Sequence, residues 1–182
     1  SAHWLEQQGF VVTYLPVTSD GVASTAALES ALRADTILVS IMTANNEVGT
    51  LEPIKELAAC AHKRDALFHT DAVQAYGRIP LCVSELDVDA LSISAHKIHG
   101  PKGVGLLYRR RGVSIEPLLH GGAQERGYRA GTENVAGIVG FANAAKALFV
   151  TGDSKDSQAL AFSSTTIQAI KAQVQLRNYL IE

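Results

Sequence analysis

The chain carries its most informative residues in one short stretch, Ser94-Ala95-His96-Lys97-Ile98-His99-Gly100-Pro101-Lys102-Gly103. This stretch follows an apolar, strand-like run and ends in a Gly/Pro turn, so a lysine is presented beside a hydroxyl and an imidazole. A lysine amine is a nucleophile that forms Schiff bases with carbonyl compounds. Hydroxyl, imidazole and backbone N–H groups can bind a phosphate. The stretch therefore predicts a site for an aldehyde that also carries a phosphate group.

Strand-like and helix-like patterns alternate around this stretch. Strands are predicted at residues 11–15, 36–42, 66–70, 89–94 and 104–108, and helices at residues 25–32, 52–63, from about 73, and 135–150. The run 36–42 is almost continuously apolar and rich in β-branched residues, which predicts a strand buried on both faces. This alternation predicts an α/β fold with a mostly parallel sheet flanked by helices.

Composition and charge narrow the class of protein. The chain has 182 residues, 47% of them hydrophobic, which is enough for a domain with a core. A net charge of −2 argues against a nucleic-acid or anionic-membrane surface. Two cysteines make neither a disulfide framework nor a zinc site, and neither a signal peptide nor a membrane-length apolar stretch is visible. We therefore expect a cytoplasmic protein, or one from an organelle interior.

Three polar clusters follow predicted strands: Asn45-Asn46-Glu47, Asp71 with Gln74, and Ser94 with His96 and Lys97. Parallel α/β sheets bind ligands outside the carboxyl ends of their strands. We therefore expect these clusters to converge on one crevice. By the two-residue period of an extended segment, Ser94 and His96 are predicted to share one side.

Each candidate residue also has a plainer interpretation. Asp71 could be an ionised carboxylate aimed at a cationic partner, or the N-cap of the helix predicted near residue 73. Gln74 alone could be a surface residue, and Asn46 could belong to an Asn-rich turn that tolerates left-handed backbone. His96 and His99 suggest a metal site, but Gly100-Pro101 interrupts the helix that two such ligands would need.

A second cluster combines glycines and arginines at residues 121–134, and Thr132 precedes the predicted helix 135–150. A helix N-terminus with a hydroxyl and nearby arginines favours an anion site. The plainer interpretation is a flexible loop that ends in an N-cap threonine.

Four blocks together resemble the cysteine desulfurase family, in the branch that includes selenocysteine lyases, within the class V aminotransferases. They are residues 41–49, 69–74, 92–105 and 120–134. The resemblance implies the large domain of a fold type I enzyme that uses pyridoxal 5′-phosphate (PLP).

The family resemblance assigns a role to each candidate residue. Lys97 is the Schiff-base lysine and proton shuttle, and Asp71 pairs with the pyridine nitrogen. Gln74 and Asn46 surround the 3′-oxygen of the cofactor, and Ser94 and His96 bind its phosphate. Thr132 reaches the cofactor phosphate in a partner subunit, which implies a homodimer.

The implied reaction takes sulfur from L-cysteine onto an enzyme cysteine and leaves L-alanine, as in iron–sulfur cluster assembly with a sulfur-acceptor or scaffold protein. Selenocysteine lyase, another class V PLP enzyme and a non-catalytic fragment remain alternatives. Cys60 and Cys82 match neither position of the family's persulfide cysteine. We therefore expect a central piece truncated at both ends: residues 1–150 from the large domain, then a linker at 151–154 and a helix from about 158 to 182 that leads to a small domain.

Overall fold

A computed structural model of the chain describes residues 1–151 and 160–181. The chain divides into two compact units. The first unit consists of Ser1–Ala72 and Cys82–Leu91, and the second consists of Val73–Leu81 and the described residues from Ser92 onward.

The first unit alternates helices and strands. Its elements are α1 (Ala2–Gln7), α2 (Thr25–Ala31), β1 (Leu38–Met42), α3 (Ile54–His62), β2 (Leu67–Asp71), α4 (Val83–Leu86) and the beginning of β3 (Ala90–Ser94). Ser24 caps α2, because its hydroxyl accepts a hydrogen bond from the Ala27 N–H at 3.1 Å. Helix α3 packs against both α2 and β2.

Strands β1 and β2 are parallel. In their register Ser40 pairs with His69, and Met42 pairs with Asp71. Side chains alternate between the two faces of a strand. One face turns Val39, Phe68 and Thr70 into the core beside α3, where Phe68 and Leu57 are fully buried. The other face carries Ser40, Met42, His69 and Asp71 and is largely exposed.

The second unit contains the end of β3, then β4 (Gly105–Arg109), α5 (Val135–Leu148), β5 (Phe149–Thr151), β6 (Leu160–Phe162) and α6 (Ser164–Ile181). A 3₁₀ turn, Ala95–Ile98, lies between β3 and β4. Gln124–Gly127 form a turn before α5 in which Glu125 and Arg126 have left-handed backbone. The strand order of the main sheet is β1-β2-β3-β4, while β5 and β6 form an antiparallel pair.

The predicted fold class is confirmed, and most predicted elements begin and end within two residues of the observed ones. The strand predicted at residues 11–15 is wrong. Residues 11–15 form no regular element; the Arg33 guanidinium donates to the Val11 carbonyl at 3.3 Å and to the Thr13 hydroxyl at 3.0 Å.

Three further expectations are corrected. The run 36–42 is not buried on both faces, because the Leu38 side chain is 52% exposed. Residues 73–78 form turns in which Gly77 has φ +79°, where a helix was expected. Residues 160–162 form β6, so the last helix begins only at Ser164. Residues 152–159 and 182, which include most of the predicted linker, lie outside the described residues.

Candidate functional site

Lys97 lies on a single 3₁₀ turn, Ala95–Ile98, that directly follows β3. Ala95 and Ile98 are buried, so the apolar ends of the turn fix it to the second unit. The Lys97 side chain between them is half-buried, and His96 is exposed. The turn therefore holds a lysine amine at the carboxyl end of a strand.

The backbone closes this turn tightly. The Gly100 N–H donates to the Ala95 carbonyl at 2.9 Å, and His99 has left-handed backbone with φ 65°. A Cβ on Gly100 would lie 2.9 Å from the Ala95 oxygen, so only glycine fits there. Helix α5 packs against the turn, and a Cβ on Gly140 would lie 3.0 Å from Pro101 Cγ. Close packing thus limits where the Lys97 backbone can go.

Arg78 contacts the backbone of two candidate residues in the second unit. Its guanidinium donates to the Gln74 carbonyl at 3.3 Å and to the Lys97 carbonyl at 3.5 Å. Arg78 does not stand out in the sequence, because a lone arginine in a turn has no distinguishing pattern. The contacts tie the turn that carries Gln74, a half-buried residue, to the turn that carries Lys97.

The expectation that Ser94 and His96 share one side of an extended segment is wrong. Strand β3 ends at Ser94, and His96 already belongs to the 3₁₀ turn, where the two-residue period no longer applies. Both residues still lie within three positions of Lys97 in sequence, with Ser94 half-buried and His96 exposed.

In the first unit, Asp71 is the last residue of β2 and is exposed. Its backbone carbonyl accepts a hydrogen bond from the Thr43 N–H at 2.8 Å. Beneath it, the buried hydroxyls of Thr43 and Thr70 lie 2.7 Å apart in a second hydrogen bond. These contacts fix the carboxyl ends of β1 and β2 to each other, and so fix the backbone of Asp71.

The loop after β1 is organised by Asn45. Its side-chain oxygen accepts the N–H groups of Glu47 at 2.8 Å and Val48 at 3.0 Å, which is an Asx turn. Asn46 is exposed beside it. The left-handed residue of this loop is Gly49, with φ 76°. The Asn-rich turn thus exists, but it uses the side chain of Asn45.

His69 is a second residue that does not stand out in the sequence. Its Nδ1 and the Ser40 hydroxyl lie 2.8 Å apart in a hydrogen bond between paired strand residues. Burial lowers the pKa of His69 below its ordinary value, and the charge of Asp71 opposes this by raising it. The period-two spacing of His69 and Asp71 was a signal that could have found it.

Thr132 is exposed in the loop before α5. Its carbonyl accepts a hydrogen bond from the Arg129 guanidinium at 3.5 Å. The interpretation of Thr132 as an N-cap is wrong, because Asn134 caps α5 by accepting the Gly137 N–H at 3.0 Å. A helix cap has to be adjacent to the first helical residue, and Thr132 lies too far upstream.

The candidate residues are therefore distributed over both units. Asn46 and Asp71 belong to the first, and Gln74, Ser94, His96, Lys97 and Thr132 belong to the second. In the second unit, one strand end and one turn carry a hydroxyl, an imidazole and an amine, which is a donor set that fits a phosphate-bearing aldehyde. Within residues 1–151 and 160–181, no group of three His, Cys, Asp or Glu side chains is placed to hold a metal ion.

Comparison with known families identifies the chain. The family model described as aminotransferase class-V matches residues 1–180. The chain belongs to this family. Class-V aminotransferases depend on pyridoxal phosphate, so the donor set around Lys97 agrees with the cofactor of the family.

Relatives within the class-V family are named cysteine desulfurases. Cysteine desulfurase IscS of Dictyoglomus turgidum is 61% identical over 142 residues, which cover 78% of this chain and 36% of that protein. A solved NifS-like protein has 43% identity and a TM-score of 0.82, covering 98% of this chain and 46% of its own. The structure titled SspA in complex with cysteine has 42% identity and a TM-score of 0.77, covering 79% of this chain and 42% of its own.

These matches confirm the family resemblance and the fold type I architecture. The chain spans about a third of the length of the cysteine desulfurase from D. turgidum and under half of the NifS-like chain. No helix among the described residues is both long and apolar enough to span a membrane.

Proposed function

We propose that this chain is part of a PLP-dependent cysteine desulfurase, which takes sulfur from L-cysteine onto an enzyme thiol and leaves L-alanine. The observation that carries the proposal is Lys97, held on a closed turn after β3 beside Ser94 and His96. The cysteine desulfurase names of relatives at 61% and 57% identity support the reaction. The SspA structure with cysteine supports the substrate.

Lys97 has two tasks in this proposal. Its Nζ holds the cofactor through the aldehyde, and it later takes the proton from the α-carbon of the substrate. PLP, when bound, supplies an electron sink for the charge that remains at this carbon. The closed backbone of the turn keeps the amine in one place, so little conformational entropy is lost when it reacts.

The other candidates bind or orient the cofactor. Asp71 holds a proton on the ring nitrogen, since a carboxylate there favours the charged ring. Gln74 and Asn46 bind the 3′-oxygen. The hydroxyl of Ser94 and the imidazole of His96 donate to the phosphate.

We propose that Thr132 binds the phosphate of the cofactor held by a partner subunit. The proposed enzyme is therefore a homodimer. The exposed position of Thr132 before α5 supports this assignment. We also propose that residues 1–150 form the central part of the large domain, and that 151–182 connect it to a smaller one.

The sulfur-accepting thiol is assigned to neither cysteine of this chain. Cys60 is buried in α3, and Cys82 lies next to α4. We propose a cytoplasmic location and delivery of sulfur to an acceptor or scaffold protein in iron–sulfur cluster assembly. The two free thiols agree with a reducing compartment.

A titration of the purified chain with PLP tests the proposal. Absorbance of the bound cofactor should appear with the native chain, and Lys97→Ala should abolish it. Lys102→Ala is the matched control, because Lys102 is an exposed lysine in the same segment. Equal binding by the native chain and Lys97→Ala, or equal loss in both variants, would contradict the proposal.

A further inference from the structure

We propose that Ser40 and His69 form a positioning pair for Asp71, the carboxylate that the proposed function assigns to the ring nitrogen of the cofactor. The inference deepens that function and depends on it for the identity of the group that Asp71 meets. Neither Ser40 nor His69 has a role in the function proposed above.

The strand register brings the three residues together. Ser40 pairs with His69 across β1 and β2, and Met42 pairs with Asp71 two residues further along. Residues two apart on a strand share a face. Ser40, His69 and Asp71 therefore lie on the same face, opposite to the one that packs against α3. The hydroxyl of Ser40 lies 2.8 Å from His69 Nδ1.

Electrostatics couple His69 to the carboxylate. Burial lowers the pKa of His69, so its imidazole is neutral near pH 7, and the charge of Asp71 acts on it in the opposite direction. A neutral imidazole carries a proton on one nitrogen. We assign this proton to Nε2, with the Ser40 hydroxyl donating to Nδ1. The imidazole then presents a fixed dipole and an N–H donor beside Asp71 on the strand face.

A purely structural pair would not need these polar groups. At the other end of the same face, Leu38 pairs with Leu67, and such apolar pairs also stabilise neighbouring strands. On the buried face, the Thr43–Thr70 hydrogen bond already fixes the strand ends. A half-buried histidine that is kept neutral next to a carboxylate is instead suited to orient that carboxylate and to tune its basicity.

The first test needs no cofactor. The titration midpoint of the His69 imidazole is measured by NMR in the native chain, Ser40→Thr, Ser40→Val and Asp71→Asn. Threonine keeps the hydroxyl, whereas valine has nearly the same shape without it. We expect Ser40→Val to raise the midpoint and Asp71→Asn to lower it, with little change for Ser40→Thr. An unchanged midpoint in both Ser40→Val and Asp71→Asn would overturn the coupling.

The second test measures PLP affinity and the pH dependence of the bound-cofactor absorbance. Loss of one hydrogen bond predicts about fivefold to tenfold weaker binding and a shifted pH profile for Ser40→Val and His69→Leu. Ser40→Thr and the same-face control Leu67→Ala should stay within about twofold of the native chain.

The two tests separate the possible failures. If PLP binds at Lys97 but Ser40→Val and His69→Leu behave like Leu67→Ala, the positioning role is wrong and the proposed function stands. If the native chain binds no PLP at Lys97, the proposed function fails and the positioning role fails with it, while the NMR titration still decides whether the three residues are coupled.

Discussion

At the scale of single residues, the surroundings of the two cysteines give them different reactivity. Cys60 is buried in α3, and burial raises the pKa of its thiol. Cys82 is exposed, and hydrogen bonds from the Ser84 hydroxyl and from backbone N–H groups lower the pKa of its thiol. Thiolates are the reactive form, and one pKa unit changes their population about tenfold at pH values below the pKa.

We therefore expect iodoacetamide to alkylate Cys82 faster than Cys60 in the folded chain near pH 7.5, because Cys82 is exposed and the pKa of its thiol is lowered. Ser84→Ala should slow the reaction at Cys82, because the largest cause of its lowered pKa is lost. Mass spectrometry of timed samples measures both rates. Equal rates at the two cysteines would contradict this description of their surroundings.

His69 makes a residue-scale contribution to stability that depends on pH. Its pKa in the folded chain is lower than the unfolded value, which is about 6.5. As pH falls below that value, the unfolded chain binds the proton first, so the stability that His69 contributes above it is progressively lost. Urea unfolding at about pH 7.5 and about pH 5.5 should show a smaller loss for His69→Asn than for the native chain. An equal loss in both would contradict the lowered pKa.

At the scale of elements, the N-cap of α5 is a defined contact. Asn134→Ala removes the acceptor for the Gly137 N–H and should lower the free energy of unfolding by about 1 kcal/mol. Thr132→Ala is the matched control, since the described contact of Thr132 uses its backbone carbonyl, which the variant keeps. Chemical denaturation measures both. A larger loss of unfolding free energy for Thr132→Ala than for Asn134→Ala would contradict the assignment of Asn134 as the cap.

Asp89 connects α3 and β2 of the first unit to the segment before β3. It is 5% exposed, and its carboxylate accepts the Phe68 N–H at 2.8 Å and lies 2.8 Å from His62 Nε2. Asp89→Ala leaves both partners without this acceptor and should cost about 3 kcal/mol of unfolding free energy. Asp87→Asn, at an exposed aspartate that also faces His62, should cost under about 1 kcal/mol. Similar losses for the two variants would contradict the central role of Asp89.

Most element positions could be predicted from local patterns. Apolar runs marked β1 to β4, and helix-like patterns marked α2 and α3, because these signals depend on neighbours in sequence. The predictions failed where distant contacts decide the outcome. Arg33 binds the backbone at residues 11–13, and the exposure of Leu38 depends on what covers the sheet.

At the scale of the whole molecule, the candidate site was predictable only in part. Lys97 and Asp71 stood out because their types and positions after strands indicate chemistry. The Ser40–His69 contact joins residues 29 positions apart and depends on the register of β1 against β2, which the sequence does not state. Arg78 is likewise visible only once its contacts with the backbone at Gln74 and Lys97 are known.

The most direct test of the central claim is to identify the lysine that binds the cofactor. The chain is incubated with PLP, the bond between amine and aldehyde is reduced with borohydride, and the labelled peptides are mapped by mass spectrometry. We predict one dominant label at Lys97 and none above background at Lys102. A label spread over surface lysines, or its absence at Lys97, would contradict the assignment of this turn as the cofactor site.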